Sequence, residues 1–477
     1  MRKQRYVSLA LLTFLCVFAF TIASASALAA TQQSNTNQGT LKVSTSLIGV
    51  DYNRYSGGGF LYNTVAELRT AYDLNSLYAN GYDGRYQTVV IIDAFGSPTI
   101  YDDLLSFITW QNSHGSNLPW SSIPEIKQHL HIYYPEGKPV FDTSDPNQLG
   151  WAGEVTLDVD MVHAIAPRAN IALVISLNDQ NNVMDDAVNF AIQHHLGCAI
   201  SQSWGTPEAA ITQPADIAEV YRAHSMYIRA AMEGITVFAS TGDWGATNGM
   251  SYNNALYPAS DPFVTGTGGT NLFMACSDGY LEGTGSWNGL QHMGSSYLYE
   301  IAGNDYQGMV ADGYPAPFDM VTTGGAMSSF FGLPWWQHGI TLTSTDGTKI
   351  TPTGRCASDV SFDSGVYGGI GAVPMSVPGE EGYWIFGGTS ACSPFWAALT
   401  AIACQYAHHY LGYINPMLYI FKNCLYYTGA FHDITQGDNT YPTGSTPVGY
   451  SATPGWDAPT GLGSPDCAKL IPWMAFW

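Results

Sequence analysis

Charge is what this chain has least of. Only 11% of its 477 residues are Asp, Glu, Lys or Arg, against about 25% in an average globular protein. Cations are scarcest: 16 Lys and Arg face 38 Asp and Glu, giving a formal charge of −22 at pH 7. That balance argues against nucleic acid or an anionic membrane as partner. A sparsely charged surface also changes little when carboxylates protonate, which suits an acidic medium. Long apolar runs are missing after residue 30, so no later segment reads as a bilayer span. No C-x-x-C pair, zinc-type spacing or internal repeat is present.

The apolar run that does exist lies at the start. Arg2, Lys3 and Arg5 precede Val7 to Ala23, and Ala27-Leu28-Ala29 fits a signal-peptidase site. Residues 1–29 are therefore expected to be a signal peptide, and the product secreted with no membrane association after cleavage. The alternative is an uncleaved anchor. About 445 residues remain, enough for a large core. Of eight Cys, Cys16 leaves with the signal, and the seven left cannot all pair within a monomer. Cys392 and Cys404 lie in an apolar run and read as small buried hydrophobes. Cys276, Cys356, Cys424 and Cys467 are the disulfide candidates, with connectivity open.

Residues 31–54 are rich in Asn, Gln, Ser and Thr and read as a disordered leader. Strand and helix patterns then alternate. Gln87 to Asp93, Ile171 to Ser176, Ala199 to Ser203 and Ile235 to Ser240 read as strands. Ile100 to Trp110, Val183 to His194 and Ala215 to Glu233 read as helices. This order predicts a mostly parallel sheet with helices on both faces. Chemistry in such sheets gathers at the carboxyl ends of strands, where Ala239-Ser240-Thr241-Gly242-Asp243 falls. From Asp278 to Thr323 the pattern dissolves into a surface excursion.

Three groups of residues carry chemistry. Phe386-Gly387-Gly388-Thr389-Ser390-Ala391-Cys392-Ser393-Pro394 opens an apolar helix that runs from Phe395 to Tyr406. A serine there sits among unpaired N–H groups, which suits a nucleophile that generates an oxyanion. An ordinary N-cap is the alternative. Glu154 and Asp158 are four apart on a helix that ends at Pro167, beside Met161, Val162 and Ile165. Two such carboxyls would share a proton and could act as a base in acid; a solvated acidic face is the alternative. Asp160 points off that face and reads as solvated. Asp433 and Asp457 bracket a loop rich in Gly, Thr and Pro, a pattern open to a hard cation or to simple Asx-turns.

Together these pieces resemble the sedolisin, or serine-carboxyl peptidase, family from about Leu68 to Pro465. Gly388-Thr389-Ser390-Ala391 with Pro394, and Glu154…Asp158 leading into Ala164-Ile165-Ala166-Pro167, carry most of the likeness. Ser203-Trp204-Gly205, Thr241-Gly242-Asp243, Tyr257-Pro258-Ala259-Ser260, Asp359-Val360-Ser361 and Gly455-Trp456-Asp457…Thr460-Gly461-Leu462-Gly463 follow in order. The resemblance implies a subtilisin-like, doubly wound α/β fold over residues 66–477. It implies that Ser390 is the nucleophile, Glu154 its base, and Asp158 a hydrogen-bonding partner of Glu154. Asp243 would be a neutral acid in the oxyanion hole. One structural Ca²⁺ would be held by Asp433 and Asp457 with the carbonyls of Ile434, Thr453 and Gly455. Thr453 departs from the Gly often found there, which matters little if only its carbonyl is used.

The implied activity is a secreted, monomeric endopeptidase acting on protein or peptide substrates at acidic pH. Residues 30–65 are read as a polar leader, too short for the long folded propeptide of most members. A subtilisin-type mechanism is the nearest rival, since Val89-Val90-Ile91-Ile92-Asp93 resembles its acid-bearing strand. The Gly-His-Gly-Thr-His stretch it requires is absent, and His163 reads as a local hydrogen-bonding residue. A non-catalytic binding or surface protein on the same scaffold is the second rival.

Overall fold

The computed structural model describes residues 41–45, 48–51, 62–275, 296–311, 321–442 and 449–477. The expected signal peptide and Cys276 lie outside them. In chain order the main elements are β1 (Ile48–Asp51), α1 (Val65–Ala71), β2 (Thr88–Ala94), α2 (Ile100–Ser113), β3 (Leu130–Tyr133) and α3 (Pro146–Ile165). There follow β4 (Asn170–Ser176), α4 (Asn181–Gln193), β5 (Ala199–Gln202), α5 (Pro214–Met232), β6 (Thr236–Ser240), β7 (Thr265–Ala275) and β8 (Ser296–Ala302). The chain closes with β9 (Val360–Asp363), β10 (Ile370–Met375), β11 (Gly382–Gly387), α6 (Cys392–Ala407), α7 (Asn415–Thr428) and α8 (Cys467–Met474).

The main sheet runs β8-β7-β6-β5-β2-β4-β3, with β9 also pairing β7. Every pairing in it is parallel except β8 with β7. The β2 strand shows why the sheet is covered twice. Val89 and Ile91 point into one apolar layer with α2, α3 and α6, while Val90 and Ile92 point into another with α4 and α5. An alternating pattern would leave one face wet; this unbroken β-branched run leaves none. Because the strands are parallel, the ends of β2, β4, β5 and β6 meet on one edge.

Helix α3 lies inside the molecule. Pro146 sits in its first turn and Asp145 caps it by accepting from Asn147 N. Every residue from Trp151 to Ile165 is buried. This overturns the expectation for Asp160. A residue off the Glu154 face would be solvated on an amphipathic helix, but α3 has no wet face. Asp160 is fully buried, neither carboxylate oxygen has a hydrogen-bond partner among the described residues, and burial with the nearby Asp103 holds its pKa well above the ordinary range. A raised pKa stabilises the fold fully below the unfolded value near 4 and loses that contribution as pH rises toward the folded value. Asp160→Asn is therefore expected to raise the melting temperature at about pH 7 by roughly 2–4 °C and to leave it unchanged near pH 3. Calorimetry at the two pH values checks this; equal shifts at both would show that folding does not raise the Asp160 pKa.

Three further expectations change. The excursion from Asp278 to Thr323 contains β8, which pairs Ala302 with Thr270 and Ser296 with Ala275. The polar leader is not formless where described: residues 41–45 make β-bridges and β1 pairs β11. All six cysteines among the described residues are unbonded. Of the candidates among the described residues, Cys356 and Cys467 are buried, while Cys424 is exposed. The buried thiols of Cys198 and Cys404 touch instead. His163 makes a hydrogen-bond contact, as expected, but not a local one: its Nε2 is 3.2 Å from Pro119 O, 44 residues earlier in the chain. No helix among the described residues is long and apolar enough to cross a membrane.

Candidate active site

Three elements bring the predicted carboxyls and serine to one place. Ser390 lies in a single 3-10 turn, Thr389–Ala391, that leads directly into α6. Gly388 before it has φ +108, and a Cβ there would lie 2.5 Å from Asp243 Oδ2. Only glycine permits both that backbone and that approach. Ser393, one turn on, ties the helix to β5: its Oγ is 2.9 Å from Ser201 Oγ and accepts from Gln202 N at 3.2 Å.

Asp243 follows β6. Its Oδ1 accepts from Thr389 N at 2.6 Å, and Oδ2 is buried with no partner among the described residues. The loop is pinned by Gly324 N donating to Gly242 O at 2.6 Å and Thr322 N donating to Asp243 O at 3.0 Å. Burial pushes the Asp243 carboxyl up to about 7, against the opposing pull of the Thr389 donors. It is thus a neutral acid below that pH.

Glu154 and Asp158 project from α3, both fully buried. Ser203, just beyond β5, places its Oγ 2.8 and 2.9 Å from the two oxygens of Asp158 and 3.1 Å from Ser390 O. Its single proton serves one of these at a time. The expected Asp158–Glu154 hydrogen bond is not made; Ser203 takes Asp158 instead. Glu154 has both oxygens without a full hydrogen bond, although Ser390 is close enough to favour its ionised form. Such contacts commonly tighten only with substrate.

A fourth carboxyl, not among the predicted site residues, joins them. Asp93 ends the apolar run of β2, is fully buried, and has both oxygens unpartnered among the described residues. Burial lifts it to about 8. Its charge raises both Glu154 and Asp158, each already pushed well up by burial. The signal was in the sequence: an Asp closing a buried strand, at the edge where chemistry gathers. Carboxyls so close cannot all ionise, so the cluster holds shared protons near neutrality. The arrangement offers a hydroxyl at a helix start, a carboxylate able to take its proton, and a separate acid facing the same space.

The second acidic pair also comes together. Asp433 accepts from Gly455 N through both oxygens at 3.0 Å. Asp457 accepts from Thr453 N at 3.0 Å and from Thr460 N and Oγ1 at 2.9 Å. Burial raises Asp433, and burial with the Asp433 charge raises Asp457 to about 8. Neither has an ion-pair partner among the described residues. The carbonyls of Ile434, Thr453 and Gly455 accept no hydrogen bond from a described residue. Two uncompensated carboxylates with free carbonyls are the donor chemistry of a hard cation. Among the described residues there is no group of three or more His, Cys, Asp or Glu side chains placed for a metal.

The comparisons with known proteins agree with this fold. No protein-family model matches the chain. It is 32% identical over 429 residues to kumamolisin of Bacillus sp. (strain MN-32), covering 88% of this chain and 66% of that protein. It is 28% identical over 341 residues to sedolisin of Pseudomonas sp. (strain 101), covering 69% and 50%. Tripeptidyl-peptidase sed1 of Aspergillus fumigatus is 25% identical over 376 residues, covering 71% and 51%. The matched stretches thus span half to about two thirds of these relatives' own length. Among solved structures, Pseudomonas sedolisin, a serine-carboxyl proteinase complexed with pseudo-iodotyrostatin, superposes with a TM-score of 0.64 at 25% identity. That match covers 87% of this chain and 99% of the solved one.

Proposed function

The chain belongs to the sedolisin family of serine-carboxyl peptidases, and on that premise we propose that it hydrolyses peptide bonds of proteins at acidic pH through Ser390, Glu154 and Asp158. Supporting this above all is one juxtaposition. The Ser390 turn meets Glu154 on one side and the unpartnered Oδ2 of a neutral Asp243 on the other. Ser390 Oγ attacks the substrate carbonyl while Glu154 takes its proton. Asp243 donates to the oxyanion, and the N–H groups at the start of α6 add to its stabilisation. Glu154 then returns the proton to the leaving amine, and water repeats the cycle on the acyl-enzyme. Asp158 and Asp93 keep protons in the cluster, so that Glu154 faces a partly neutralised surrounding. Stronger clearing of casein at about pH 3–4 than at about pH 7.5, with sequencing of the peptides released, tests the activity. Equal clearing at both would overturn the carboxyl mechanism.

Export through residues 1–29, and 66–477 as the catalytic unit of a monomer, complete the proposal. We further propose that Asp433, Asp457 and the carbonyls of Ile434, Thr453 and Gly455 hold one Ca²⁺. Bound, it would neutralise two carboxylates and lock the loop that closes the fold. An ion bound only by the folded form stabilises by mass action. A chelator is expected to lower the melting temperature near pH 6, and Asp433→Ala to abolish that response. At strongly acidic pH the ligands protonate and the response fades. A melting temperature indifferent to chelator near pH 6 would remove the ion.

A further inference from the structure

The turn that carries Ser390 leads into α6, and α6 packs along β5. Two contacts fix its direction. At one end Ser393 Oγ lies 2.9 Å from Ser201 Oγ. Further along the helix the Cys404 thiol meets the thiol of Cys198, the residue just before β5. Helix and strand therefore run antiparallel. The end near the nucleophile is held by hydroxyls and the far end by a pair of sulfurs.

The sulfur pair is buried and has no competitor in reach. Cys198 is 0% and Cys404 1% exposed, and both belong to the apolar layer beneath α6. Cys198 N donates to Thr88 O at 3.0 Å and its Sγ to the same carbonyl at 3.4 Å, so the start of β2 holds the residue in place. Tyr410, just past α6, lies near both sulfurs. Cys392 is twelve residues back along α6, about 18 Å by helical rise, and its Sγ donates to Phe362 O at 3.4 Å. Cys356 donates to Gly354 O at 3.4 Å. An apolar layer needs no thiol, and small aliphatic side chains would fill the same space. Two thiols in contact add the capacity to be joined.

We propose that Cys198 and Cys404 are a disulfide site, closed when the chain folds in an oxidising medium, and that the touching thiols are its reduced form. Export, proposed above, brings the chain to such a medium. The oxidant is a second disulfide, of a small thiol or of an oxidoreductase. One protein thiolate attacks a donor sulfur, breaks the donor S–S bond and releases one donor thiol. The other protein thiolate attacks the mixed disulfide and releases the second. The two protein thiols are oxidised, the donor is reduced, and both protons end on the donor thiols. Contact with Cys404 and burial hold the Cys198 thiol well above its ordinary pKa, so exchange in the finished fold is slow and closure belongs to folding. The bond shuts a loop of about 200 residues, which removes much freedom from the unfolded chain. It also clamps the helix that begins beside Ser390 to the strand that leads to Ser203.

The test folds the full chain at about pH 7.5 in oxidised and reduced glutathione, and in parallel under an excess of reductant. Free thiols are alkylated before peptide mapping, and melting is followed at about pH 4, where exchange stops. The oxidised sample is expected to yield a peptide pair linking Cys198 to Cys404 and to melt about 3–8 °C above the reduced one. Cys198→Ala and Cys404→Ala should each remove the link and the melting difference, whereas Cys424→Ala should leave both. The two redox states of the wild type give the answer even if a variant fails to fold. Alkylation of both thiols in the oxidised wild type overturns the proposal. So does a link from either thiol to another cysteine, or a linked protein that melts with the reduced one. Neither readout depends on peptidase activity.

Discussion

Ser390→Ala is expected to lower kcat on a peptide substrate by a factor on the order of 10⁴–10⁶ while leaving the melting temperature within about 1 °C of the parent. The first figure follows from covalent chemistry: alanine has no oxygen to form the acyl ester, and water must attack directly. Residual rate over the uncatalysed reaction would come from Asp243 and the α6 N–H groups, which are untouched. The second follows from packing. The hydroxyl closes no full hydrogen bond with Glu154, and Gly388, which shapes the turn, stays in place. Single-turnover kinetics on purified protein, beside calorimetry, makes the measurement. Retention of more than a few per cent of activity would take Ser390 out of the reaction.

Asp243→Asn is expected to cut kcat by roughly 10²–10³ and to remove the alkaline limb of the pH profile. Asp243 donates only while it holds a proton. Its folded pKa is raised to about 7, so the donor form is complete well below that value and vanishes as pH rises through it. The wild-type kcat should therefore fall as pH rises through about 7, and the fall should follow a single ionisation. Asn donates at every pH, more weakly, so the variant profile is lower and flat on that side. The acid limb is set by the carboxyl cluster taking up its last proton and should survive the substitution. From unperturbed carboxyls alone the window centres at about pH 3–5; burial extends its upper edge. Measuring kcat/KM from pH 2 to pH 9 for both proteins decides. A variant that keeps the wild-type alkaline limb would assign that limb to another group.

Much of this was legible in the sequence, and the failures have a common cause. The parallel sheet followed from β-branched runs such as Val89 to Ile92, whose burial on both faces needs no knowledge of partners. The meeting of Ser390, Glu154 and Asp243 followed from ordered motifs rather than from periodicity. Periodicity misjudged Asp160, because it presumes a helix with a wet face, and α3 has none. It also gave Asp93 no role, since an apolar run says where a strand is but not what its last residue faces. Composition misjudged residues 41–45 and 48–51, for strand pairing uses backbone groups that every sequence carries. The Cys198–Cys404 contact joins the residue before β5 to α6, far along the chain, and no spacing rule anticipates it.

The distribution of the site along the chain also governs when it can exist. Asp93, Glu154 and Asp158 come from the first half, Asp243 from the middle, and Ser390 from the last quarter. The pairing of β1 with β11 and the capping of the core by α8 join opposite ends of the chain. Contacts of such sequence separation form late, after the entropy of closing long loops has been met. A growing chain therefore carries its carboxyls long before it carries a nucleophile, and a polypeptide halted short of residue 390 is chemically silent. On the proposed function, the nucleophile joins its carboxyls only once the last quarter of the chain has been made and packed.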